Sequence, residues 1–193
     1  MAIYEAVKLM VVGSPGTGKS ALVLRFVTDE FVEDYDPTME DCYRKMGMID
    51  SNQTLLEILD CCDAQEHNYM TPQYMISSGG FICVYSISDE SSLEELQPFI
   101  GNIKGYTGRN DPLIIIGSKC DLECERRVTT DAGLRFAEKN NADGFYEVSA
   151  KYDINIAKVF CDLARKVIRK KKENTCAPAH NPATGQEKKC VVS

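Results

Sequence analysis

The chain has 193 residues, of which 44% are hydrophobic, and a formal net charge of −7. This length predicts a single domain, and no stretch approaches the about 18–20 apolar residues that cross a bilayer. Nine cysteines without a secretory signal favour reduced thiols in the cytosol. The charge is uneven: residues 165–193 carry +6 and the remainder −13. An acidic body disfavours nucleic-acid binding, and a basic tail suits an anionic surface.

Short apolar runs alternate with helical patterns along the chain. This alternation predicts an α/β fold of three layers, with a mostly parallel sheet and helices on both faces. The predicted strands are Ala6–Val12, Asp41–Ile49, Leu55–Asp60, Phe81–Ile87, Leu113–Gly117 and Phe145–Val148. Turn-forming residues between the second and third strands predict an antiparallel hairpin.

The helical patterns fall between these strands. The predicted helices are Lys19–Thr28, Asn68–Ser77, Ser91–Tyr106, Thr130–Asn140 and Ile154–Lys172. Ser91 is expected to be the N-cap of the third helix, and Pro98 predicts a kink or an early boundary within it. After residue 172 the sequence is polar, rich in Pro and Ala, and without periodicity. We therefore predict a domain over residues 1–172 and a disordered tail over 173–193.

A glycine-rich loop follows the first predicted strand and precedes the first predicted helix. Residues 13–20 read GSPGTGKS and fit the pattern GxxxxGK(S/T). Such a loop directs backbone N–H groups and a helix N-terminus at phosphates. Lys19 is placed to reach the β- and γ-phosphates, and Ser20 to ligate Mg²⁺. The phosphate-binding residues predicted here are Gly13, Pro15, Gly16, Thr17, Gly18, Lys19, Ser20 and Ala21.

A second polar loop predicts which base the nucleotide carries. Residues 118–121 read SKCD and follow a strand at the carboxyl end of the sheet, where ligands bind. Asp121 could accept hydrogen bonds from N1–H and the exocyclic amine of guanine, which adenine does not offer, while the stem of Lys119 packs along the purine. Residues 149–151, after the last strand, are expected to contact the base oxygen through N–H groups. The predicted base-binding residues are Ser118, Lys119, Asp121, Ser149, Ala150 and Lys151.

Together these segments resemble a small GTPase of the Ras family, close to its Ras and Rap branches. The similarity runs from about Ala6 to Lys172 and includes the last four residues, Phe31, the segment 35–41 and Leu59-Asp60. It implies that the chain binds GTP or GDP with Mg²⁺, hydrolyses GTP, and has a six-stranded sheet with one antiparallel edge strand.

The resemblance also implies roles for individual residues. Thr38 would ligate Mg²⁺ when the γ-phosphate is present, and it is a catalytic candidate together with Lys19. Asp60 would hold Mg²⁺ through water, Phe31 would pack on the guanine, and exchange factors are expected partners. The nucleotide would also contact Tyr35, Thr38 and Asp63. Effector proteins would bind residues 35–43, chiefly Tyr35, Asp36, Pro37, Thr38, Met39, Glu40 and Asp41.

The chain departs from the family after Asp60. Where the family reads T-A-G-Q, this sequence has Cys61-Cys62-Asp63-Ala64, which places Ala64 at the glutamine that orients the attacking water. Alanine cannot orient or polarise a water, and Asp63 would bring negative charge towards the γ-phosphate. Gln65 lies one residue later and could serve only if the loop slips. We therefore predict slow hydrolysis.

Two further departures lie in the binding loops. Pro15 replaces a glycine beside the γ-phosphate, and its ring adds bulk where the family admits the arginine finger of an activating protein. Ser118 replaces the asparagine that links the guanine loop to the phosphate-binding loop. We expect this link to be lost, at a cost of about 1–3 kcal/mol, with faster nucleotide exchange as the consequence.

The C-terminal residues predict a lipid anchor. Cys190-Val191-Val192-Ser193 has the form C-a-a-X, with Ser favouring a farnesyl group. One lipid binds only marginally, so a second signal is expected. The candidates are the basic cluster Arg169–Lys172 and Cys176 as a palmitoylation site. The expected location is the cytoplasmic face of the plasma membrane, with the protein a monomer.

Two hypotheses about function remain open at this point. The first is a membrane-anchored signalling GTPase with slow turnover, which Lys19, Ser20, Thr38 and Asp60 favour. The second is a GTP-binding module with negligible hydrolysis, which Asp63 and Ala64 favour. A P-loop kinase is a distant third, because Asp121 argues for guanine and the sequence has no evident lid or acceptor site.

Overall fold

One six-stranded sheet organises the structure, a computed structural model that describes residues 5–31, 41–61, 72–108 and 110–176. The strand order is β2-β3-β1-β4-β5-β6. The strands are β1 (Glu5–Val12), β2 (Asp41–Ile49), β3 (Asn52–Asp60), β4 (Gly80–Ser86), β5 (Leu113–Ser118) and β6 (Gly144–Glu147). All neighbours pair in parallel except β2 with β3, so β2 is the antiparallel edge strand. The predicted fold class is confirmed.

The antiparallel pair is closed by a two-residue turn. Ile49 pairs with Asn52 in the β2–β3 register, and Asp50 and Ser51 between them have φ angles of 47° and 68°. Two consecutive positive φ values are characteristic of a type I′ turn, whose twist matches that of the flanking strands. The predicted hairpin is therefore present, and its turn has two residues because Asn52 and Gln53 belong to β3.

Helices cover both faces of the sheet. They are α1 (Lys19–Thr28), α2 (Pro72–Ser77), α3 (Glu90–Glu94), α4 (Leu96–Thr107), α5 (Thr130–Lys139) and α6 (Ile156–Cys176), with a 3₁₀ turn at Glu123–Glu125. Alternate strand residues enter two cores. One core contains Val11, Val84 and side chains of α1 and α6. The other contains Met10, Phe81 and side chains of α2, α4 and α5. The result is a three-layer arrangement.

The helix predicted over Ser91–Tyr106 is two helices. The first has Asp89 as its N-cap, because the Asp89 side chain accepts a hydrogen bond from the Ser91 N–H at 3.1 Å; the expectation that Ser91 is the cap was wrong. The break falls at Glu95, and Pro98 is the third residue of α4. In the first turn of a helix the missing proline N–H has no intrahelical partner to lose, so Pro98 is tolerated there.

The last helix begins later and ends later than the sequence pattern indicated. Asp153 and Asn155 have φ angles of 57° and 60°, which exclude them from a helix and delay its start to Ile156. The helix then continues to Cys176, four residues past the predicted domain boundary. The predicted helical residues 68–71 and the rest of the predicted tail lie outside the described residues. Across the ranges that are described, no helix is long and apolar enough to cross a membrane.

Candidate functional site

The loop between β1 and α1 has the conformation that a phosphate-binding loop requires. Gly13 has a φ of 150°, and a Cβ at this position would lie 2.1 Å from the Val84 carbonyl oxygen of β4. Gly18 is the N-cap of α1 in a left-handed conformation, with a φ of 85°. Only glycine meets both demands without strain. The loop therefore presents the N-terminus of a ten-residue helix to an anion.

The Lys19 side chain lies inside this loop and bonds to its backbone. Its Nζ donates to the carbonyl oxygens of Gly13 at 2.7 Å and Ser14 at 2.8 Å. The Thr17 hydroxyl also donates to the Ser14 carbonyl, at 2.8 Å. The ammonium group of Lys19, in a residue that is only 7% exposed, is thus held at the centre of the loop. Phosphate oxygens entering the loop would meet a fixed, poorly solvated positive charge.

Asp60 and Ser20 form a candidate metal site beside Lys19. Asp60 ends β3, is 1% exposed, and hydrogen bonds with the Ser20 side chain. Burial raises the pKa of Asp60, and the Ser20 hydrogen bond and Lys19 oppose this effect. Its Oδ1 atom has no hydrogen-bond partner among the described residues. A buried carboxylate oxygen with unused acceptor capacity fits a hard cation such as Mg²⁺.

The number of available ligands also fits magnesium. Nowhere in the described ranges do three or more His, Cys, Asp or Glu side chains gather as a metal cluster. Mg²⁺ bound with a nucleotide ordinarily takes one or two protein oxygens and completes its shell with water and phosphate oxygens. Ser20 and Asp60 match that requirement, and the third predicted ligand, Thr38, lies outside the described residues.

Asp121 is oriented by a second serine. The Ser149 hydroxyl donates to Asp121 Oδ1 at 2.6 Å and accepts from the Tyr152 N–H at 3.2 Å. Ser149 is fully buried and pairs with Ile154 across a short bridge. The second carboxylate oxygen of Asp121 makes no hydrogen bond to any described residue. One oxygen thus fixes the carboxylate, and the other remains able to bind a ligand.

Ser118 links the two loops, contrary to the expectation that this link is lost. Its hydroxyl lies 2.5 Å from the Thr17 carbonyl of the phosphate-binding loop and 2.9 Å from the Tyr85 carbonyl of β4. The expectation was wrong because it treated the replacement of asparagine as the loss of the hydrogen-bonding group, whereas the serine hydroxyl still bonds to the Thr17 carbonyl. A hydroxyl carries one proton, so Ser118 donates to one carbonyl at a time, whereas an asparagine amide has two N–H donors.

Lys119 makes a second link between the loops. It adopts a φ of 58°, and its Nζ donates to the Gly16 carbonyl at 2.7 Å. Its stem crosses towards Gly18, where a Cβ would lie 3.8 Å from Lys119 Cε. The guanine loop therefore contacts the phosphate-binding loop at neighbouring carbonyls, those of Gly16 and Thr17. This contact fixes the distance between the base end and the phosphate end of the site.

The remaining predicted residues divide between the described and undescribed ranges. Ala21 lies in the first turn of α1, Phe31 follows its C-terminus and is half-buried, and exposed Lys151 and half-buried Ala150 follow Ser149. Asp41 begins β2 and pairs with Asp60 in the β2–β3 register. The predicted residues outside the described ranges are Tyr35, Asp36, Pro37, Thr38, Met39, Glu40, Asp63, Gln65 and Cys190. Cys176 ends α6.

Sequence reasoning missed the ion pair that supports the guanine loop. Arg126 binds both carboxylate oxygens of Glu147 in β6, at 2.7 and 2.9 Å, and also pairs with Glu123. The hydrogen bonds that Arg126 donates to Glu147 are the main reason that the pKa of Arg126 is raised. The partners are 21 residues apart, and neither belongs to a motif. No local signal in the sequence could have identified them.

The phosphate-binding loop follows β1 and is bonded directly to the loop that carries Asp121, whose second carboxylate oxygen can bind a base. This arrangement is that of a P-loop nucleotide-binding protein. The sequence model of the Ras family matches residues 8–169. The chain therefore belongs to the Ras family, whose members are small GTP-binding proteins with GTPase activity.

Proposed function

We propose that this protein is a signalling switch close to the Ras and Rap branches, which binds GTP or GDP with Mg²⁺, hydrolyses GTP slowly and is anchored to a membrane. The observation that carries the proposal is the direct connection between the two loops. Ser118 and Lys119 of the guanine loop bond to carbonyls of the phosphate-binding loop. A rigid connection of this kind suits a ligand that occupies both loops at once.

Each end of the site has a separate task in binding. Lys19 and the N–H groups at the start of α1 attract the phosphates, because they place positive charge in a poorly solvated loop. Asp121 selects guanine, since only guanine offers two donors on one edge to its carboxylate. The Ser149 hydroxyl, 2.6 Å from Asp121 Oδ1, holds that carboxylate in one orientation.

Ser20 and Asp60 are the described residues that would hold Mg²⁺. Bound there, the ion neutralises charge on the β- and γ-phosphates. In its absence Asp60 is a buried acid with an unused oxygen, and burial raises its pKa. We therefore expect nucleotide affinity to fall sharply on chelation of Mg²⁺. Isothermal calorimetry of GDP binding with Mg²⁺ and with EDTA measures this; equal affinities would contradict the assignment of Ser20 and Asp60.

Slow hydrolysis is proposed from three residues that replace catalytic features of the family. Ala64 stands where a glutamine orients water, Asp63 stands where a glycine N–H contacts the γ-phosphate, and Pro15 occupies the exposed tip of the phosphate-binding loop. An arginine finger contributes about 10³–10⁵ in rate in this family. The Pro15 ring lies where that finger would enter, so we expect activating proteins to have little effect.

Single-turnover phosphate release from GTP-loaded protein tests this proposal. We expect a rate well below that of a relative with the glutamine, and a higher rate in the double variant Asp63→Gly plus Ala64→Gln. The single variant Asp63→Gly is the control, because it removes the charge without restoring the amide. A wild-type rate equal to that of the relative would refute slow hydrolysis.

A GTP-binding module with negligible hydrolysis is the second candidate, and Ala64 and Asp63 favour it. The two candidate functions predict different nucleotides bound to the purified protein. A module that does not turn over keeps GTP through purification, whereas a slow GTPase accumulates GDP. Chromatography of the nucleotide released on denaturation gives the ratio directly.

Partners and location are proposed from the segment 35–43 and from the C-terminal residues. We propose that effectors bind residues 35–43, the last three of which start the edge strand β2, and that exchange factors reload the site. We further propose a farnesyl group on Cys190 and attachment to the cytoplasmic face of the plasma membrane. Cys190→Ser should move the protein into the soluble fraction of cells; unchanged membrane partitioning would refute this anchor.

A further inference from the structure

Helix α1 carries functional residues at its start and a cation near its end. Its first two residues, Lys19 and Ser20, belong to the phosphate-binding loop, and its last turn contains Arg25. Arg25 lies five positions after Ser20 in the sequence, which is about 7–8 Å further along the helix axis. The helix therefore joins the residues that hold phosphates to an arginine that contacts a different part of the domain.

The guanidinium group of Arg25 is fixed on one side and faces a carboxylate on another. Its Nη1 donates to the Asp29 carbonyl at 3.0 Å, at the C-cap of α1. The Asp29 carboxylate lies 3.3 Å from Lys45 Nζ of β2, which holds the same turn. Arg25 Nε is buried and makes no hydrogen bond to any described residue, and Asp153 Oδ1 lies 3.7 Å from it. A buried cationic donor is destabilising unless an anion lies beside it, and Asp153 is that anion.

Asp153 belongs to a closed loop that also orients Asp121. Ser149 and Ile154 exchange both backbone hydrogen bonds, at 3.3 and 2.9 Å, and so close the loop at its base. Asp153 has a φ of 57°, a left-handed conformation that aspartate adopts more readily than most residues. At the base of the loop, the Ser149 hydroxyl donates to Asp121 Oδ1. A displacement of Asp153 is therefore transmitted through Ile154 to Ser149, which holds the base-binding carboxylate.

The ion pair between Arg25 and Asp153 adds a connection that the other two loops lack. The bonds of Ser118 and Lys119 already join the guanine loop to the phosphate-binding loop. The ion pair joins a third loop, residues 149–154, to α1, whose first residues complete the phosphate-binding loop. With both connections made, the three loops that surround the nucleotide site are held in one arrangement.

We propose that Arg25 is a positioning residue for the nucleotide, which holds the loop 149–154 against α1 through Asp153 and thereby slows nucleotide release. The proposal rests on guanine-nucleotide binding as stated under the proposed function. Arg25 acts through Asp153 and Ser149, because it belongs to neither the phosphate-binding loop nor the base-binding loops. A nucleotide can leave only after the loop has moved away from the base, so the ion pair must break before release. Its loss should therefore change the rate of release and leave the rate of association unchanged.

Solvent limits the size of this effect. The Arg25 side chain is 22% exposed, but the Asp153 side chain is 58% exposed, so water screens the pair from one side. Ion pairs of this kind are weak, and we expect the loss of the pair to accelerate nucleotide release by about two- to fivefold. Salt should have the same effect, because at about 0.5 M KCl screening should bring the release rate of wild type close to that of a variant without the pair.

The experiment measures the release of radiolabelled GDP from the full-length protein into excess unlabelled GDP with Mg²⁺ present. Asp153→Asn removes the charge and keeps a residue that tolerates the left-handed conformation. Asp50→Asn is the matched control, because Asp50 is also left-handed, with a φ of 47°, is 54% exposed and pairs with Arg165, but lies in the β2–β3 turn. Arg25→Gln, alone and combined with Asp153→Asn, completes a double-mutant cycle. Urea unfolding of each variant measures any general loss of stability.

We expect Asp153→Asn to release GDP about two- to fivefold faster than wild type, Asp50→Asn to release it at the wild-type rate, and the double variant to be no faster than Arg25→Gln alone. A rate for Asp153→Asn within about 1.5-fold of wild type, or an equal acceleration in Asp50→Asn, would overturn the proposal and leave nucleotide binding intact. Effects of the two single variants that multiply in the double variant would also overturn it, because the residues would then act independently. Should wild type fail to retain GDP at all, the proposed function fails, and the positioning role fails with it.

Discussion

Replacing Ser118 with alanine should accelerate the release of bound nucleotide. The hydroxyl is buried, lies between the Thr17 and Tyr85 carbonyls, and connects the guanine loop to the phosphate-binding loop. Deleting it removes one hydrogen bond and leaves a buried acceptor without a donor, a loss of about 1–1.5 kcal/mol. If the whole loss falls on the bound state, GDP should dissociate about 5- to 12-fold faster.

The assay is the release of a fluorescent GDP analogue into excess unlabelled GDP with Mg²⁺ present. Ser78→Ala is a matched control, because Ser78 is an equally buried serine that bonds the Tyr74 carbonyl at the opposite end of the sheet. Ser118→Asn should dissociate no faster than wild type, since its amide can serve both carbonyls. A release rate within twofold of wild type for Ser118→Ala, or the same acceleration in the Ser78 control, would refute the reasoning.

Three predictions concern stability and titration. Tyr85→Phe should raise the free energy of unfolding by about 1 kcal/mol, because the buried Tyr85 hydroxyl has no hydrogen-bond partner among the described residues. Urea unfolding measures this, and a loss of stability would contradict it. Gly101→Ala should stabilise α4 by about 0.5–1 kcal/mol, since no neighbouring atom of the described residues lies within 4 Å of the new Cβ. Gly80→Ala should destabilise the domain, because its Cβ would lie 2.7 Å from Val167. Melting temperatures that shift in the same direction for both variants would contradict this prediction. Tyr146→Phe should raise the pKa of Asp162, because the hydrogen bond from the Tyr146 hydroxyl at 2.6 Å holds that pKa below its ordinary value. A carboxyl group whose pKa is lowered by folding stabilises the folded state at pH values above its unfolded-state pKa, and this stabilisation is lost as the pH falls through its folded-state pKa. The stability of this variant should therefore differ from that of wild type at neutral pH and converge with it in acid. An unchanged NMR titration of Asp162 would contradict the assignment.

The strands and the two ligand loops could be predicted from sequence because their signals are local. Runs such as residues 81–87 and 113–117 are almost entirely apolar, as expected of strands covered on both faces, and each ligand loop is a short pattern directly after a strand. The helix starts were harder to predict. Asp89 and Ser91 are both good N-caps by residue type, and only the structure shows that the Asp89 side chain accepts from the Ser91 N–H.

The role of Ser118 could not be predicted because it depends on a distance between loops. A comparison of residue types shows that a serine has fewer donors than an asparagine, but it does not show that the Thr17 carbonyl lies 2.5 Å away. The end of α6 was missed for a similar reason. Residues 173–176 lack an apolar stripe, and the helix before them is stabilised by the contacts of Lys170 and Lys171 with the domain.

The bond from Ser118 to Thr17 joins positions 101 residues apart. Such a contact forms only after a long loop has closed, and parallel sheets of this connectivity assemble slowly. A nascent chain that has not yet emerged past residue 121 therefore has a phosphate-binding loop without its guanine partner. A nucleotide that is held by both loops needs the completed domain, so its binding is expected to favour the folded chain by mass action.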